Sequence, residues 1–583
     1  MLRMFETHRV RKQTELSYCL WDFSTLPRDG AEPVKKKMAV PGCWQNDPET
    51  RIYRGRACYE RTFYAGGNLR LEFKGVSHTA QVYLDGEEIA FHYNAYTPFS
   101  AVIKDVPEKE HRLKVIVDNS FGPRSALHVE NDYQSYGGIT RGAALEELGR
   151  AYITSLHVTP KKTEKGWSAL LEAEVANLTE QPFAGKLCFV LRGADSQSMT
   201  PEPIGAGCGV SLTGGGTQKI RAEIVCPNVK EWNPDTPWLY TATALLEDES
   251  GKAEDDLIDR FGFREVRVEG KDILMNGQKL RIKGFCRHED HPQFGCALPP
   301  QAMWQDLLQM RELGANSVRT SHYPNDEIFL DLCDETGMLV WEESHARGLS
   351  EEAMRNPNFE RQCEDCIREM IQAHYNHPSI YIWGILNECA SHTEYGKSCY
   401  EAQLSLIRSL DKTRPRSFAS CQFKRDLCFG LVDVVSYNIY PLWYHDTPAD
   451  EFLADMYDWI QECTEGAGKP FLITEVGAGA IYGYRTPEKV KWSEEYQAQA
   501  IEKQLTAILS HEGTSGVYLW QFCDCRVCDS WFSTRPRTMN NKGIVDEYRR
   551  PKLSFETVKR IYREMPEHVV KCHKEVPKLP GFG

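Results

Sequence analysis

Two glutamates follow apolar runs of the kind that form buried strands. The run YIWGILNE ends at Asn387-Glu388, and the run KPFLITE ends at Glu475. If both runs are strands of one parallel barrel, their carboxyl ends meet at the same open mouth. A pair of carboxyl groups can cleave a glycosidic bond, because one protonates the departing oxygen while the other attacks the anomeric carbon. The competing interpretation is two surface glutamates that happen to begin loops.

The elements that must position this pair lie after about residue 268, where apolar runs alternate with segments of helical periodicity. Eight strands with helical crossovers fit a (β/α)₈ barrel, in which the 87 residues between the glutamates place them on opposing walls. The rival architecture is a doubly wound sheet, but the strand ends lack the G-x-G-x-x-G turn of its nucleotide-binding form. The predicted strands are Leu280–Phe285, Ser317–Thr320, Leu339–Trp341, Ile380–Leu386, Arg416–Ser420, Val434–Tyr437, Phe471–Thr474 and Val517–Trp520.

The chain before the barrel has the alternation and turn chemistry of β-structure. Runs such as LRLEFKGV and HRLKVIVDNS alternate apolar and polar residues, and Asp85-Gly86 predicts a tight hairpin turn. A second β block from about residue 152 has the length and strand spacing of a small sandwich. We therefore predict three domains, comprising residues 1–150, 151–268 and 269–583.

Composition excludes several classes of protein. The chain of 583 residues is too long for one hydrophobic core. Its net charge of −14 argues against a general affinity for nucleic acid or anionic membranes, although a local basic pocket remains compatible with it. The N-terminus lacks the apolar region of a signal peptide, and no apolar run is long enough to span a bilayer. We expect a cytoplasmic protein whose 20 cysteines are mostly reduced.

Ordered segments along nearly the whole chain resemble glycoside hydrolase family 2. The barrel segments are KGFCRHEDHP, ANSVRTSHYP, NHPSIYIWGILNE and KPFLITEVG, and FGFREVRV resembles the family's entry into the barrel. The N-terminal segments WDFS, VPGCWQ, YERTFY and GVSHTAQVYLDG resemble its jelly-roll domain. The resemblance implies an N-terminal jelly-roll-like β-sandwich, an immunoglobulin-like β-sandwich and a C-terminal TIM barrel.

The resemblance also implies chemical roles. Anomeric configuration would be retained, with Glu388 as acid/base and Glu475 as nucleophile, two roles that require opposite tuning of pKa. Arg319 is a candidate to hold Glu475 anionic through its positive charge. Asn387 is expected to hydrogen-bond the sugar 2-hydroxyl.

The segment RPRTMNNKGIVDEYRRPK resembles the pattern Asn-x-Lys-Gly of the family's glucuronidases. A glucuronide carries a C6 carboxylate, which Lys542 can neutralise while Asn540 donates an amide proton. Taken alone, the same four residues are typical of an exposed turn. Their position after the last predicted strand favours the site, and we expect Arg537 to assist, with Arg535 as the alternative.

Further positions match the same subgroup. Asp132 resembles a loop aspartate that reaches the sugar hydroxyls, and Trp520 a platform for the sugar ring. Other predicted contacts or supports are Asn438, Tyr440, Tyr444, His288 and His322. Each has an ordinary structural interpretation as a core, turn or packing residue. We expect no metal and no required cofactor, because CDCRVC lacks a second cysteine pair.

The sequence leaves alternatives open. The leading hypothesis is a retaining hydrolase of β-D-glucuronides that acts on a small glycoside or oligosaccharide, with homo-oligomeric assembly as an expectation from relatives. A β-galacturonidase or β-galactosidase would use the same mechanism. A non-catalytic carbohydrate-binding protein is the hypothesis from another class, but such a protein should lack one of the two glutamates. The stretch 342–362 is short, which predicts an open entrance to the cavity.

Overall fold

The computed structural model describes residues 2–28, 30–164, 166–193 and 204–564. Two β-sandwiches and an α/β barrel follow one another along the chain. The predicted fold class is therefore confirmed. Within the described ranges, no helix has both the length and the apolar character that a bilayer crossing requires.

The first unit is the jelly-roll-like sandwich. Its strand order is β1-β10-β4-β8-β6-β7, with β2 pairing with β3 and β4, and β5 pairing with β9. Asp85 and Gly86 join β6 to β7 with φ angles of 50° and 96°, which confirms the predicted tight turn. The strands are β1 (Lys12–Glu15), β2 (Cys19–Leu26), β3 (Lys35–Val40), β4 (Arg56–Phe73), β5 (Val76–Ser77), β6 (Thr79–Leu84), β7 (Glu87–Tyr93), β8 (Phe99–Asp118), β9 (Gly138–Ile139) and β10 (Ala143–Leu148).

The second unit packs a three-stranded sheet, β11-β12-β15, against a four-stranded sheet, β14-β13-β16-β17. Side chains of both sheets alternate into one apolar core that includes Phe189 and Phe261. The strands are β11 (Ala151–Thr163), β12 (Gly166–Asn177), β13 (Phe183–Gly193), β14 (Ile204–Leu212), β15 (Thr217–Cys226), β16 (Tyr240–Asp248) and β17 (Ala253–Phe261).

The third unit is a parallel eight-stranded barrel in the order β25-β24-β23-β22-β21-β28-β27-β26. A single bridge between Ser420 and Tyr437 closes β25 onto β26, so the doubly wound alternative is wrong. The barrel strands are β21 (Ile282–Cys286), β22 (Ser317–Thr320), β23 (Leu339–Glu343), β24 (Ile380–Ile385), β25 (Arg416–Phe418), β26 (Val435–Asn438), β27 (Phe471–Val476) and β28 (Thr514–Leu519).

A small antiparallel sheet plugs one end of the barrel. It consists of β18 (Val266–Glu269), β19 (Asp272–Met275) and β20 (Gln278–Lys279). Its side chains share one buried cluster with barrel residues such as Trp341 and Tyr518. The backbone N–H of Leu280 donates to Ile273 of this sheet, which is why the first barrel strand begins later than predicted.

The helices surround the barrel with their apolar faces turned inward. Residues 419–434, all described, join β25 to β26 without a helix, because Asp426 accepts hydrogen bonds from Ser391 and Ser420 and holds an irregular path. After β28, β29 (Cys525–Arg526) pairs with β30 (Met539–Asn540) across two short 3₁₀ turns. The helices are α1 (Pro300–Leu313), α2 (Glu327–Thr336), α3 (Glu351–Met354), α4 (Phe359–His374), α5 (Glu394–Leu410), α6 (Ala449–Cys463), α7 (Glu494–Ser510) and α8 (Ser554–Glu564).

Buried imidazoles pack the first sandwich onto the barrel mouth. The ring centroids of His78 and His128 lie 4.5 Å apart, and those of His128 and His345 lie 4.3 Å apart. Burial lowers the pKa of His78 to about 4 and that of His345 to about 3. Burial and the two neighbouring imidazoles also lower the pKa of His128 well below its usual range. The stack is therefore neutral at physiological pH.

This stack predicts acid sensitivity of the fold. An unfolded histidine titrates near pH 6.5. Between this pH and the lowered pKa values of the stack, the unfolded chain therefore binds more protons than the folded chain. Stability is full above about pH 6.5 and falls as the pH drops toward 4, by up to about 1.4 kcal/mol per pH unit for each histidine. We expect His128→Phe to show a smaller loss of melting temperature between pH 7.5 and 5.5 than the wild type. His445→Phe, at an exposed position, is the control, and equal losses in all three proteins would contradict the expectation.

Candidate active site

A cavity of about 530 Å³ lies at the carboxyl ends of the barrel strands. The two predicted catalytic glutamates lie on its wall, together with six of the predicted contact residues. Side chains from the first sandwich and from the loop after β28 complete the wall. It is formed by Asp132, Arg347, Glu388, Cys421, Phe423, Tyr437, Asn438, Ile439, Tyr440, Tyr444, His445, Phe452, Glu475, Trp520, Trp531, Thr534, Arg535 and Lys542.

The backbone around Glu388 is unusual. Leu386 and Glu388 have φ angles of 41° and 54°, in the left-handed region that non-glycine residues rarely occupy. Such a conformation costs on the order of 1–3 kcal/mol and persists where the surroundings enforce it. Backbone bonds from Asn387 to Ala346 and from Glu388 to Ala419 anchor the turn to neighbouring loops. The strain falls at the residue that is expected to transfer the proton.

Glu475 is held by two strong donors. It lies within β27 and is almost fully buried. One carboxylate oxygen accepts a hydrogen bond of 3.0 Å from the Arg319 guanidinium, and the other accepts one of 2.6 Å from the Tyr440 hydroxyl. Both donors favour the ionised carboxylate, which is the form that a nucleophile requires.

Arg319 joins several of these groups although it does not line the cavity itself. Its guanidinium is fully buried and also contacts both oxygens of Glu343, at 2.9 and 3.1 Å. It donates a further bond of 2.7 Å to the Asn387 side-chain oxygen. The Asn387 amide nitrogen is buried and has no hydrogen-bond partner among the described residues. Arg319 thereby orients Asn387 as well as Glu475.

Glu388 is held more loosely than Glu475. The Asn438 amide donates to one of its oxygens at 2.9 Å, and an Arg347 nitrogen lies 3.6 Å from the other. The Asn438 oxygen in turn accepts a bond of 2.8 Å from Thr474, which fixes the orientation of the amide. Glu388 therefore keeps an exposed carboxyl oxygen that can exchange a proton with a ligand or water.

The charge of Glu388 affects the ionisation of Glu475. Burial and this charge raise the pKa of Glu475 to about 7, while Arg319, Tyr440 and Arg347 oppose the rise. Glu475 therefore changes its charge near neutral pH, and its contacts with Arg319 and Tyr440 favour the ionised form.

The first sandwich contributes Asp132 to the cavity. Its carboxylate contacts Arg347 and Arg535, both at 3.3 Å, and accepts a bond of 3.1 Å from the Asn540 amide. Burial raises the pKa of Asp132, but Arg347, Lys542 and Arg535 outweigh it and hold the pKa well below its usual range. Asp132 is thus a fixed anion on the cavity wall.

Lys542 presents its ammonium group to the cavity without a carboxylate partner. Its Nζ donates to the Tyr444 hydroxyl at 2.9 Å and lies 5.6 Å from the centre of the Tyr440 ring. Within the described part of the chain, no carboxylate approaches this amine within 4.0 Å. An ammonium group placed in this way is a site for a ligand anion.

Three predicted contacts are not part of the cavity wall, namely Asn387, described above, Asn540 and Arg537. Asn540 is fully buried and its amide is used by Asp132, so it positions that carboxylate instead of lining the cavity. Arg537 bonds Glu547 at 2.6 Å on the outer side of its loop, where it adopts a φ angle of 57°. Of the two arginines between which the sequence left the choice open, the structure brings Arg535 to the cavity wall.

The two predicted supporting histidines lie behind the wall. His322 packs its ring against Trp520 at 5.0 Å and contacts Glu343 at 2.8 Å. His288 lies 5.4 Å from the Trp520 ring and contacts the Tyr323 hydroxyl at 3.2 Å. Burial and neighbouring cations lower the pKa of His322 well below its usual range. These rings brace Trp520.

Sequence reasoning missed two important charged residues. Glu343 ends the apolar run LVWEE, so the rule that selected the other two glutamates would also have found it. Arg347 follows the same strand by a few residues and lies between Asp132 and Glu388. The aromatic residues Phe423 and Trp531 carried no periodic signal, because irregular loops deliver them.

Comparisons with known proteins show which family this chain is similar to. Residues 266–566 match the family model described as Glycosyl hydrolases family 2, TIM barrel domain, and residues 151–264 match that of Glycosyl hydrolases family 2. A β-glucuronidase from Paenibacillus borealis is 27% identical over 579 residues, covering 92% of both chains.

Two solved structures extend the comparison. The crystal structure of a GH2 β-galacturonidase from Eisenbergiella tayi bound to galacturonate is 61% identical, covers 97% of this chain and 100% of its own, and has a TM-score of 0.94. A β-D-glucuronidase from Dictyoglomus thermophilum is 26% identical, covers 97% of this chain and 99% of its own, and has a TM-score of 0.82.

The paired glutamates predict a specific change in pH dependence. Removing the charge of Glu388 in Glu388→Gln should lower the pKa of Glu475, because Glu388 is a main cause of its rise. With an aryl glycoside whose leaving group needs no protonation, we expect wild-type kcat/KM to rise as the pH increases through about 7, because Glu475 must be ionised to attack. In the variant this rise should lie at lower pH. An identical acid limb in both proteins would show that the two carboxyl groups do not interact.

Proposed function

The chain belongs to glycosyl hydrolase family 2 and is a glycoside hydrolase; from this premise we propose that it cleaves β-D-galacturonides with retention of anomeric configuration. The observation that carries the proposal is the Lys542 ammonium group, which faces the same cavity as Glu388 and Glu475. A hexuronide carries its carboxylate on C5, which is separated from the anomeric carbon only by the ring oxygen. A cation and two carboxyl groups on one cavity wall can therefore contact the carboxylate and the anomeric carbon of the same ring.

The choice between hexuronides rests on similarity. The Eisenbergiella tayi enzyme, whose structure is named as a β-galacturonidase, is 61% identical over nearly all of this chain. The relatives named as β-glucuronidases are 24–28% identical. Galacturonides and glucuronides differ only in the orientation of the 4-hydroxyl, so the β-glucuronide is the second candidate. The larger shared identity favours galacturonide.

The proposed first step uses the two glutamates together. A carboxylate oxygen of Glu475 attacks the anomeric carbon while Glu388 transfers its proton to the departing glycosidic oxygen. The bond to the leaving group breaks as the bond to Glu475 forms, which gives a covalent glycosyl-enzyme and a free alcohol. Arg319 and Tyr440 hold Glu475 ionised until it attacks.

The second step reverses the roles. Glu388, now a carboxylate, removes a proton from water, and the resulting hydroxide attacks the anomeric carbon as Glu475 leaves. The Asn387 amide nitrogen, which has no hydrogen-bond partner among the described residues, would donate to the sugar 2-hydroxyl. Both steps balance with side chains and water, so the proposed chemistry needs no metal or cofactor.

Lys542 predicts discrimination between acidic and neutral sugars. Lys542→Ala should lower kcat/KM for p-nitrophenyl β-D-galacturonide by about 10- to 100-fold, the effect of one lost charge-assisted contact. Any residual cleavage of p-nitrophenyl β-D-galactoside should change little, since that sugar lacks the carboxylate. The wild-type enzyme should rank galacturonide above glucuronide and both above galactoside. Equal losses on acidic and neutral substrates would show that Lys542 is structural.

The proposed role of Glu475 leads to two expected results, namely loss of turnover in a variant and a defined configuration of the first product. Glu475→Ala should reduce turnover by at least about 10⁴-fold, because no covalent intermediate can form. With an aryl galacturonide, added azide should restore turnover and yield the α-galacturonyl azide, since azide attacks from the face that Glu475 vacates. The wild-type enzyme should release β-galacturonate first in a proton NMR time course. Initial release of the α anomer would contradict retention.

A further inference from the structure

A second cavity, of about 990 Å³, lies between the first sandwich and the barrel. Its walls come from β6, β7 and β8, from the loop of residues 120–125 and from the beginning of α4. The proposed mechanism uses none of these residues. The histidine stack separates the two cavities, because His78 lines this one while His345 contacts Tyr133, the neighbour of Asp132.

The second cavity carries the opposite charge to the rest of the protein. Its wall includes one carboxylate, Asp118, against four guanidinium groups, whereas the whole chain has a net charge of −14. Asp118 contacts one of the four at 3.3 Å. In the described ranges, the other three have no carboxylate within 4.0 Å. The four are Arg28, Arg56, Arg124 and Arg361.

A third cavity provides an internal comparison. It lies where the three domains meet, and it also contains several arginines. There, Arg3 pairs with Asp331 at 2.8 Å and Arg11 pairs with Asp255 at 2.7 Å. Those cations are neutralised within the protein and hold the domains together. Three of the four arginines of the second cavity have no such partner among the described residues, so their charge is available to a ligand.

Aromatic and polar groups accompany the arginines. Phe91 is 60% exposed although it is a large apolar residue, and Tyr93 and Phe121 also line the wall. Phe121 is fixed from behind by Arg54, whose guanidinium lies 4.1 Å from the ring centre. Aromatic faces pack against the apolar faces of sugar rings, and guanidinium groups bind carboxylates through paired N–H donors. This combination is suited to acidic carbohydrate.

Hydrogen bonds within the protein hold the wall of the second cavity in place. Gln362 accepts a hydrogen bond from the backbone of Ala126 at 2.9 Å and donates one to the backbone oxygen of Arg124 at 2.8 Å. Asn356 and Asn358 both donate to the backbone oxygen of Pro123, at 3.1 and 3.2 Å. These bonds fix the arginine-bearing loop of the sandwich to the barrel. A prearranged wall lowers the entropy cost of binding.

We propose that this cavity is a second, non-catalytic binding site for an oligosaccharide that contains several uronate residues. The volume is nearly twice that of the active-site cavity, which suits a chain of sugars better than a single ring. The three arginines without carboxylate partners would bind successive uronate carboxylates, while Phe91 and Phe121 would contact ring faces. The choice of uronates rests on the proposed function, since it assigns to both cavities the same class of sugar.

The test is a calorimetric titration with α-1,4-linked trigalacturonate, whose α linkages a β-galacturonidase does not cleave. The Lys542→Ala background weakens uronate binding in the active site, so that binding at the second cavity can be measured. The matched ligand is the fully methyl-esterified trigalacturonate, which has the same rings without charge. The test variant adds R124Q/R361Q, and the control variant adds R368Q/R408Q, which removes two exposed arginines elsewhere, one of them further along α4.

We expect the acidic trisaccharide to bind the Lys542→Ala protein at least about tenfold more tightly than its ester. R124Q/R361Q should weaken that binding by about tenfold or more, whereas R368Q/R408Q should change it less than about twofold. No measurable binding, equal binding of the ester, or equal effects of the two variant pairs would each overturn the proposal. The ester comparison needs no further variant, so it holds even if R124Q/R361Q misfolds.

Activity separates this proposal from the proposed function. In the wild-type background, R124Q/R361Q should hydrolyse p-nitrophenyl β-D-galacturonide at the wild-type rate, because a single ring does not reach the second cavity. If the wild-type protein hydrolyses no hexuronide but binds the acidic trisaccharide as described, the proposed function fails and the second site stands. If hydrolysis is normal and the trisaccharide does not bind, the reverse holds.

Discussion

The buried guanidinium of Arg319 is the interaction on which the catalytic half of the cavity depends. A charge removed from water must be matched by partners, and Glu343 and Glu475 match this one. Removing any of the three would leave an uncompensated buried charge, and removing Arg319 would also take away its hydrogen bond to Asn387. The position of the nucleophile and the ionisation of the site are therefore fixed by the same contact.

The charges of the whole site are balanced for an anionic ligand. Four cations face four carboxyl groups, and the neighbouring histidines are neutral because burial lowers their pKa. Among these cations, Lys542 is the one without a carboxylate of the described residues within 4.0 Å, and a bound uronate would neutralise it. A neutral sugar would leave that charge uncompensated. The cations are Arg319, Arg347, Arg535 and Lys542, and the carboxyl groups are Asp132, Glu343, Glu388 and Glu475.

Much of this arrangement could be predicted from the sequence, because barrel strands are recognisable as apolar runs. The residue that follows each strand lies at the open end of the barrel. That rule placed Glu388 and Glu475 correctly on one cavity. It does not cover Arg535 and Arg537, which are two residues apart on an irregular loop where no period fixes the direction of a side chain. Asn540 was assigned to the ligand from its resemblance to the pattern Asn-x-Lys-Gly. Its contact with Asp132 joins residues 408 positions apart, and only the fold shows that pairing.

The single bridge that closes the barrel between Ser420 and Tyr437 has an evolutionary consequence. Between β25 and β26, which we call the seam of the barrel, the chain forms no helix, and this stretch supplies Cys421 and Phe423 to the cavity wall. Exchanges of these two side chains would leave the backbone bonds of Ala419 to Glu388 and of Ser420 to Asn438 in place, and would leave Arg319 and its partners untouched. Descendants of this enzyme could therefore acquire new leaving-group preferences at the seam while inheriting the reaction itself unchanged.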